Sequence, residues 1–205
     1  TDEFVKDLYL ANMKAGVDYM EFGYKASSEI FNPDNFGKWK FCHEKDIRNI
    51  VGDNKTDMKI SVMADVGRTD YKKDILNRKD SVIDLIRVAT YINTIPAAIE
   101  MLEDAKKKGY ETTVNIMAVS KVNDEDLDGG LELLAQSSVD VIYLVDSFGA
   151  FYPEQIERLC DKYLNVAAKY NKKIGIHAHN NQQLAFANTI EAPVSYTHLT
   201  LPTKA

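Results

Sequence analysis

Short apolar runs alternate with amphipathic segments along most of the chain. Six runs are dominated by apolar and β-branched residues, at 17–23, 58–65, 82–89, 112–119, 139–146 and 174–179. Runs of this length and composition are typical of strands buried on both faces of a parallel sheet. We therefore predict six strands.

The segments between these runs carry apolar residues at helical spacing. The clearest spans 153–170, and segments 4–15 and 95–108 have the same character. The apolar stripe of segment 153–170 repeats at intervals of three and four residues. It consists of Ile156, Leu159, Cys160, Tyr163, Leu164 and Ala167. Regular alternation of strand and helix predicts a parallel α/β fold.

Two parallel architectures fit this alternation, a doubly wound sheet and a (β/α)8 barrel. No G-x-G-x-x-G or G-x-x-x-x-G-K-[ST] turn occurs to bind a nucleotide phosphate in a doubly wound sheet. Polar residues instead lie in or at the ends of several predicted strands, namely Glu21, Asp65, Arg87, Asp146, His177 and His179. A TIM barrel assembles its active site from the C-terminal ends of its strands, so the barrel is favoured.

Composition narrows the range of partners. The chain is 45% hydrophobic and 27% charged, which is ordinary for a globular domain, and its net charge of −6 disfavours nucleic acid. No apolar run approaches the roughly 20 residues of a membrane span, so we expect a cytoplasmic protein that binds small metabolites. Cys42 and Cys160 are expected to be reduced and structural.

The two ends of the chain do not look natural. The segment 193–205, PVSYTHLTLPTKA, breaks the preceding pattern and resembles a translated sequencing adapter, so we exclude it, with His198, from the fold. A natural disordered terminus is the alternative. Because the first residue is Thr1, we expect a gene cut at both ends, with residues 1–192 forming a partial barrel domain.

His177 and His179 are the strongest candidates for chemistry. Residues two apart on a strand point to the same face, so both imidazoles can bind one cation while Ala178 points away. Two imidazoles and a carboxylate suit Mn²⁺, Co²⁺, Fe²⁺ or Zn²⁺ and leave positions open for substrate. The alternatives are a pair of hydrogen-bonded core histidines, or one inward and one surface histidine if the strand ends early.

Two further charged residues have both a functional and a structural interpretation. Asp146 ends an apolar run and could reach the barrel mouth, or could cap the following helix or pair with a basic neighbour. Arg87 lies between apolar neighbours and needs an anion, either Glu21 or Asp65 as a structural partner or a substrate carboxylate.

Lysines give no sign of a covalent mechanism. A nucleophilic lysine requires an apolar surrounding that lowers the stability of its ammonium form. We expect solvated surface charges, and therefore no Schiff-base lysine, at Lys25, Lys45, Lys106, Lys107 and Lys108.

These residues resemble the metal-dependent (DRE-type) TIM-barrel aldolases and lyases, the HMGL-like family. The most specific match is GIHAHNNQQLAFANTIEA, in which His177 and His179 fall on the two metal-binding histidines of the family. The segments LIRVAT and VIYLVDSFGAF are closest to the branch of 4-hydroxy-2-oxovalerate aldolases, chiefly through Ser147.

The resemblance implies a divalent-metal-dependent carbon–carbon lyase. It would cleave a 4-hydroxy-2-oxoacid to pyruvate and an aldehyde through an enolate stabilised by the metal, Mn²⁺ first and Mg²⁺, Co²⁺ or Zn²⁺ otherwise. Ser147 and Arg87 would bind the 2-oxoacid. The family's first-strand aspartate and arginine, and its acid/base residues, would lie outside this fragment.

A complete barrel takes about 250 residues, so a native portion of about 192 is expected to hold strands two to seven of an incomplete TIM barrel. Exposed strand edges predict that this polypeptide is inactive and poorly soluble. The alternatives are a Claisen-type synthase that joins an acyl-CoA to a 2-oxoacid, and a non-catalytic binding barrel. A homo-oligomer or an aldehyde dehydrogenase partner is possible for the full-length protein.

Overall fold

A computed structural model of the protein describes residues 1–197. The helices are α1 Asp2–Lys14, α2 Glu44–Val51, α3 Tyr71–Asp74, α4 Ile95–Lys107, α5 Asp124–Gln136, α6 Pro153–Tyr170 and α7 Ala185–Thr197. The strands are β1 Tyr19–Tyr24, β2 Lys59–Asp65, β3 Leu85–Thr90, β4 Glu111–Ile116, β5 Val141–Asp146 and β6 Lys173–Ala178. All six runs that were predicted to be strands therefore contain one.

The chain divides into two compact units. The first comprises Thr1–Ala89 and Glu100–Thr112. In it, β2 pairs in parallel with both β1 and β3, with Met20 opposite Ile60 and Ser61 opposite Leu85. The centres of β2 and β3 are buried and mostly apolar, as expected for a parallel sheet covered on both faces.

The second unit comprises residues 90–99 and 113–205, of which those up to 197 are described. In it, β5 pairs in parallel with both β4 and β6, with Val114 opposite Ile142 and Val145 opposite His177. Helix α6 buries the whole stripe predicted from its sequence, and Tyr163 in its centre is fully buried. Cys160, on the same stripe, is a buried free thiol as expected.

Strands followed by helices, with parallel pairing within each unit, make this an α/β protein. The fold is an incomplete (β/α)8 TIM barrel, with six strands within residues 1–197. No helix in that range is both long and apolar enough to cross a bilayer.

The tail differs from the expectation in one respect. Helix α7 continues through Thr197 and so includes the first residues of the segment that was excluded from the fold. The proposed foreign origin of 193–205 stays a prediction, and residues 198–205, including His198, lie outside the described residues.

Two buried tyrosines allow a matched test of packing against hydrogen bonding. The Tyr163 hydroxyl has no hydrogen-bond partner among the described residues, whereas the Tyr110 hydroxyl donates to the carbonyl of Leu76 at 3.0 Å. We expect Tyr163→Phe to raise the free energy of unfolding by about 1 kcal/mol, because an unsatisfied buried hydroxyl is removed. Tyr110→Phe should lower it by about 1 kcal/mol. Urea denaturation measures both, and equal effects of the two substitutions would contradict the assignment.

Candidate functional site

The two candidate metal ligands lie side by side at the end of β6. His177 is in the strand, and His179 is the first residue after it. The ring centroids are 4.9 Å apart, with an angle of 50° between the planes. His177 is half-buried and His179 is exposed, so the pair can be reached from solvent.

The neighbouring strand orients the second imidazole. Nδ1 of His179 lies 2.7 Å from the backbone carbonyl oxygen of Asp146, the last residue of β5. A carbonyl can only accept, so Nδ1 carries the proton in this hydrogen bond and Nε2 keeps its lone pair. Histidine ligands of metals are commonly oriented by such a hydrogen bond from the other ring nitrogen.

The carboxylate of Asp146 serves the turn that follows β5. It is almost completely buried and accepts hydrogen bonds from the backbone amides of Ala150, at 2.9 Å, and Phe151, at 3.1 Å. These contacts stabilise the turn between β5 and α6. The interpretation of Asp146 as a helix cap is wrong, because α6 begins at Pro153 and its N-cap residue is Tyr152. The residue thus shapes the site through its backbone and stabilises the turn through its side chain.

Ser147 lies in the same turn. Its hydroxyl oxygen accepts a hydrogen bond from the backbone amide of Ala118 at 2.9 Å, and Ala118 has a left-handed conformation with φ of 57°. An oxygen that accepts still has its own proton to donate. Substrate binding by Ser147 stays a prediction.

A metal would find two of its ligands here. The imidazole pair suits a divalent transition metal, and the hydrogen bond to His179 leaves Nε2 available for coordination. Within residues 1–197, however, no group of three or more His, Cys, Asp or Glu side chains is placed to hold a metal ion. The described residues therefore supply the two expected imidazoles, but no carboxylate that lies close enough to complete the ligand set.

Arg87 binds Glu21 in the first unit. Its Nη2 donates to Oε1 of the glutamate, and the two side chains are 16% and 25% exposed. Glu21 lies opposite Ser61 and Arg87 opposite Met63, so the ion pair spans β2. Burial raises the pKa of Glu21 despite the opposing effect of the guanidinium. Of the two structural partners left open, Glu21 is the one observed.

Asp65 lies apart from that pair. Its carboxylate faces the guanidinium of Arg68 at 3.9 Å, and burial raises its pKa. Substrate binding by Arg87 stays a prediction, and it has to accommodate the contact with Glu21.

Lys25 contradicts the expectation from sequence. It was expected to be a solvated surface charge, but the residue is only 4% exposed and burial lowers its pKa. The one sequence feature that could have indicated burial was the position of Lys25 directly after β1. The residues that cover its side chain come from later in the chain, so the local sequence does not show them.

Comparison with known proteins identifies relatives. The HMGL-like family model matches residues 5–195. A 4-hydroxy-2-oxovalerate aldolase of Geobacillus genomosp. 3 is 31% identical over 121 residues, which are 59% of this chain and 35% of the relative. 4-Hydroxy-2-oxovalerate aldolase 1 of Nocardia farcinica is 27% identical over 92% of this chain and 53% of its own length. The chain thus spans about half the length or less of these curated relatives.

Solved structures show the same fold. The N-terminal domain of a candidate aldolase from Bacteroides vulgatus superimposes with a TM-score of 0.72 at 26% identity, covering 87% of this chain and 57% of that one. Hydroxymethylglutaryl-CoA lyase from Pseudomonas aeruginosa gives 0.68 at 14% identity, covering 94% and 66%, and supports the fold alone.

The Glu21–Arg87 pair predicts a large and pH-dependent effect. We expect Arg87→Met to lower the free energy of unfolding by about 3 kcal/mol at neutral pH, because the buried glutamate loses a counter-charge. Burial already raises the pKa of Glu21 above its unfolded value, so the native state then binds more protons and stability falls as pH rises. The loss should therefore shrink as pH falls toward about 4.3.

A matched control is the exposed pair Arg158–Asp124, whose side chains are 57% and 59% exposed. Arg158→Met should cost less than about 1 kcal/mol. Adding Glu21→Gln to Arg87→Met should restore part of the loss. Chemical denaturation between pH 4 and 8 measures these effects, and equal costs for the two arginines would rule out a structural role for the buried pair.

Gly149 predicts a coupling between the turn and the histidines. Its φ is +57°, and a Cβ there would lie 2.6 Å from the backbone nitrogen of Asn181 and 2.8 Å from the carbonyl oxygen of His179. We expect Gly149→Ala to lower the unfolding free energy by about 1–3 kcal/mol and to shift the ring resonances of His179 in NMR spectra. Gly129→Ala, in α5 with open space around it, should leave those resonances unchanged.

Proposed function

The chain belongs to the HMGL-like family, and we propose that it is the larger part of a divalent-metal-dependent aldolase domain. The reaction would be the cleavage of a 4-hydroxy-2-oxoacid to pyruvate and an aldehyde. The named relatives support an aldolase or lyase activity, and the observation that carries the proposal is the His177–His179 pair with Nε2 of His179 left free to coordinate.

The described residues have defined tasks in this proposal. His177 and His179 would hold the metal, and the Asp146 carbonyl would keep His179 in the tautomer that coordinates. When bound, the cation would supply Lewis-acid stabilisation of the negative charge that develops on the 2-oxoacid.

Two further residues would bind the substrate. The Ser147 hydroxyl, which accepts from Ala118, would donate its proton to an oxygen of the 2-oxoacid. We retain Arg87 as a candidate for the substrate carboxylate, in competition with Glu21. Mn²⁺ is the proposed metal, since imidazole and carboxylate ligands with open positions suit it.

The setting of the enzyme also remains a proposal. We infer a cytoplasmic location and a small-molecule substrate, without nucleic acid or membrane as a partner. Assembly into a homo-oligomer and association with an aldehyde dehydrogenase are proposed for the longer protein.

The proposal predicts chelator-sensitive activity in a protein extended to the full length of its curated relatives. With 4-hydroxy-2-oxovalerate and Mn²⁺, we expect pyruvate release that EDTA abolishes and that His177→Ala or His179→Ala lowers by at least about 100-fold, since loss of a residue that only orients a ligand already costs 10–100-fold. Calorimetric titration with Mn²⁺ should lose its binding heat in the same variants.

His43→Ala is the matched control, because His43 is exposed and lies in the first unit. It should preserve both Mn²⁺ binding and pyruvate release. Pyruvate release that persists in EDTA would disprove metal dependence. Thiol release from acetyl-CoA and a 2-oxoacid, without aldolase activity, would instead identify a Claisen-type synthase.

A further inference from the structure

Lys25 is a buried amine without an ion-pair partner. The residue directly follows β1, its backbone amide donates to the carbonyl of Met63 at 2.7 Å, and only 4% of it is exposed. Within the described part of the chain, no carboxylate lies within 4 Å of its amine. Burying an ammonium group in this way is costly unless the group loses its proton or gains a partner.

The side chain lines a cavity that reaches the surface. The cavity has a volume of about 170 Å³ and lies entirely within the first unit. Since a water molecule occupies about 30 Å³ in the liquid, this space holds roughly five groups of that size. His43, Lys73 and Leu76 at its rim are exposed, so a small solute can enter.

The charges around the cavity disfavour an anionic ligand. Glu44 and Asp74 both contribute to its lining, and the lining cation Lys73 binds Glu29. Glu44 is ion-paired with Arg48, so the Asp74 carboxylate is the lining group that would repel a carboxylate or phosphate that approached Lys25. A neutral molecule avoids that cost.

The same surroundings favour an uncharged, nucleophilic amine. Burial lowers the pKa of Lys25, and the carboxylates of Glu44 and Asp74 oppose this effect. Burial also raises the pKa of Asp74, so this lining carboxyl group keeps its proton more readily than usual. An amine that gives up its proton more readily than usual, next to a carboxyl group, is a suitable pairing for carbonyl chemistry.

We propose that Lys25 forms an imine with a small neutral aldehyde or ketone that binds in this cavity. The lone pair of Nζ attacks the carbonyl carbon, and the carbonyl oxygen takes up a proton to give a carbinolamine. Loss of the hydroxyl as water, with release of a proton from nitrogen, then forms the C=N bond. The step is a condensation that needs no oxidant or reductant, and it is independent of the proposed metal-dependent reaction.

Site-resolved reductive alkylation tests the proposal on the chain as it stands. The protein is incubated at neutral pH with propanal and sodium cyanoborohydride, and peptide mass spectrometry follows each lysine over time. We expect Lys25 to be alkylated about tenfold faster than the exposed Lys45, because its amine is more often neutral and the aldehyde is held beside it. In 6 M guanidinium chloride, the two rates should become equal.

Three outcomes decide the matter. A rate at Lys25 equal to or below that at Lys45 in the folded protein would overturn the proposal. So would an advantage that persists after unfolding, since it would then come from local sequence. Acetone is a neutral ketone and pyruvate an anionic one, so the ratio of the labelling rate at Lys25 to that at Lys45 should be lower with pyruvate than with acetone. An equal ratio would disprove the selection for neutral ligands.

Discussion

The backbone and side chain of Asp146 together hold the candidate metal site in place. Its carboxylate accepts two backbone amides of the turn after β5, and its carbonyl accepts the imidazole of His179. Charge-assisted hydrogen bonds to a buried carboxylate contribute about 1.5–3 kcal/mol each, so this turn has little freedom to move. The geometry of the histidine pair follows from that rigidity.

Much of the fold could be predicted from the sequence because its signals are local. Helix α6 was predicted at 153–170, which are its observed bounds, because its stripe has a single clear period. The start of β3 was placed too early, at residue 82, because apolar residues precede the strand. Asp84, the residue before β3, uses its carboxylate to accept a hydrogen bond from the backbone amide of Ile60. This contact joins residues far apart in the chain, so the local sequence pattern does not predict it.

The surroundings of the charged residues could not be predicted from local sequence either. Sequence alone left Arg87 with two structural partners, and the choice of Glu21 depends on how β1 and β3 align with β2. The burial of Lys25 depends on residues such as Phe41, more than a dozen positions away, that line the same cavity. Contacts of this kind arise from tertiary packing, which periodicity does not encode.

The pairing of β6 with β5 has a consequence for how this sequence can change over evolution. His177 lies opposite Val145 and Ala178 opposite Asp146. Because side chains alternate between faces, inserting or deleting one residue early in β6 would swap the imidazoles for Ala178 and its alternate neighbours. Such an indel would displace the candidate ligand pair while leaving composition and hydropathy almost untouched, so the length of this strand matters to the site as much as the identity of its histidines.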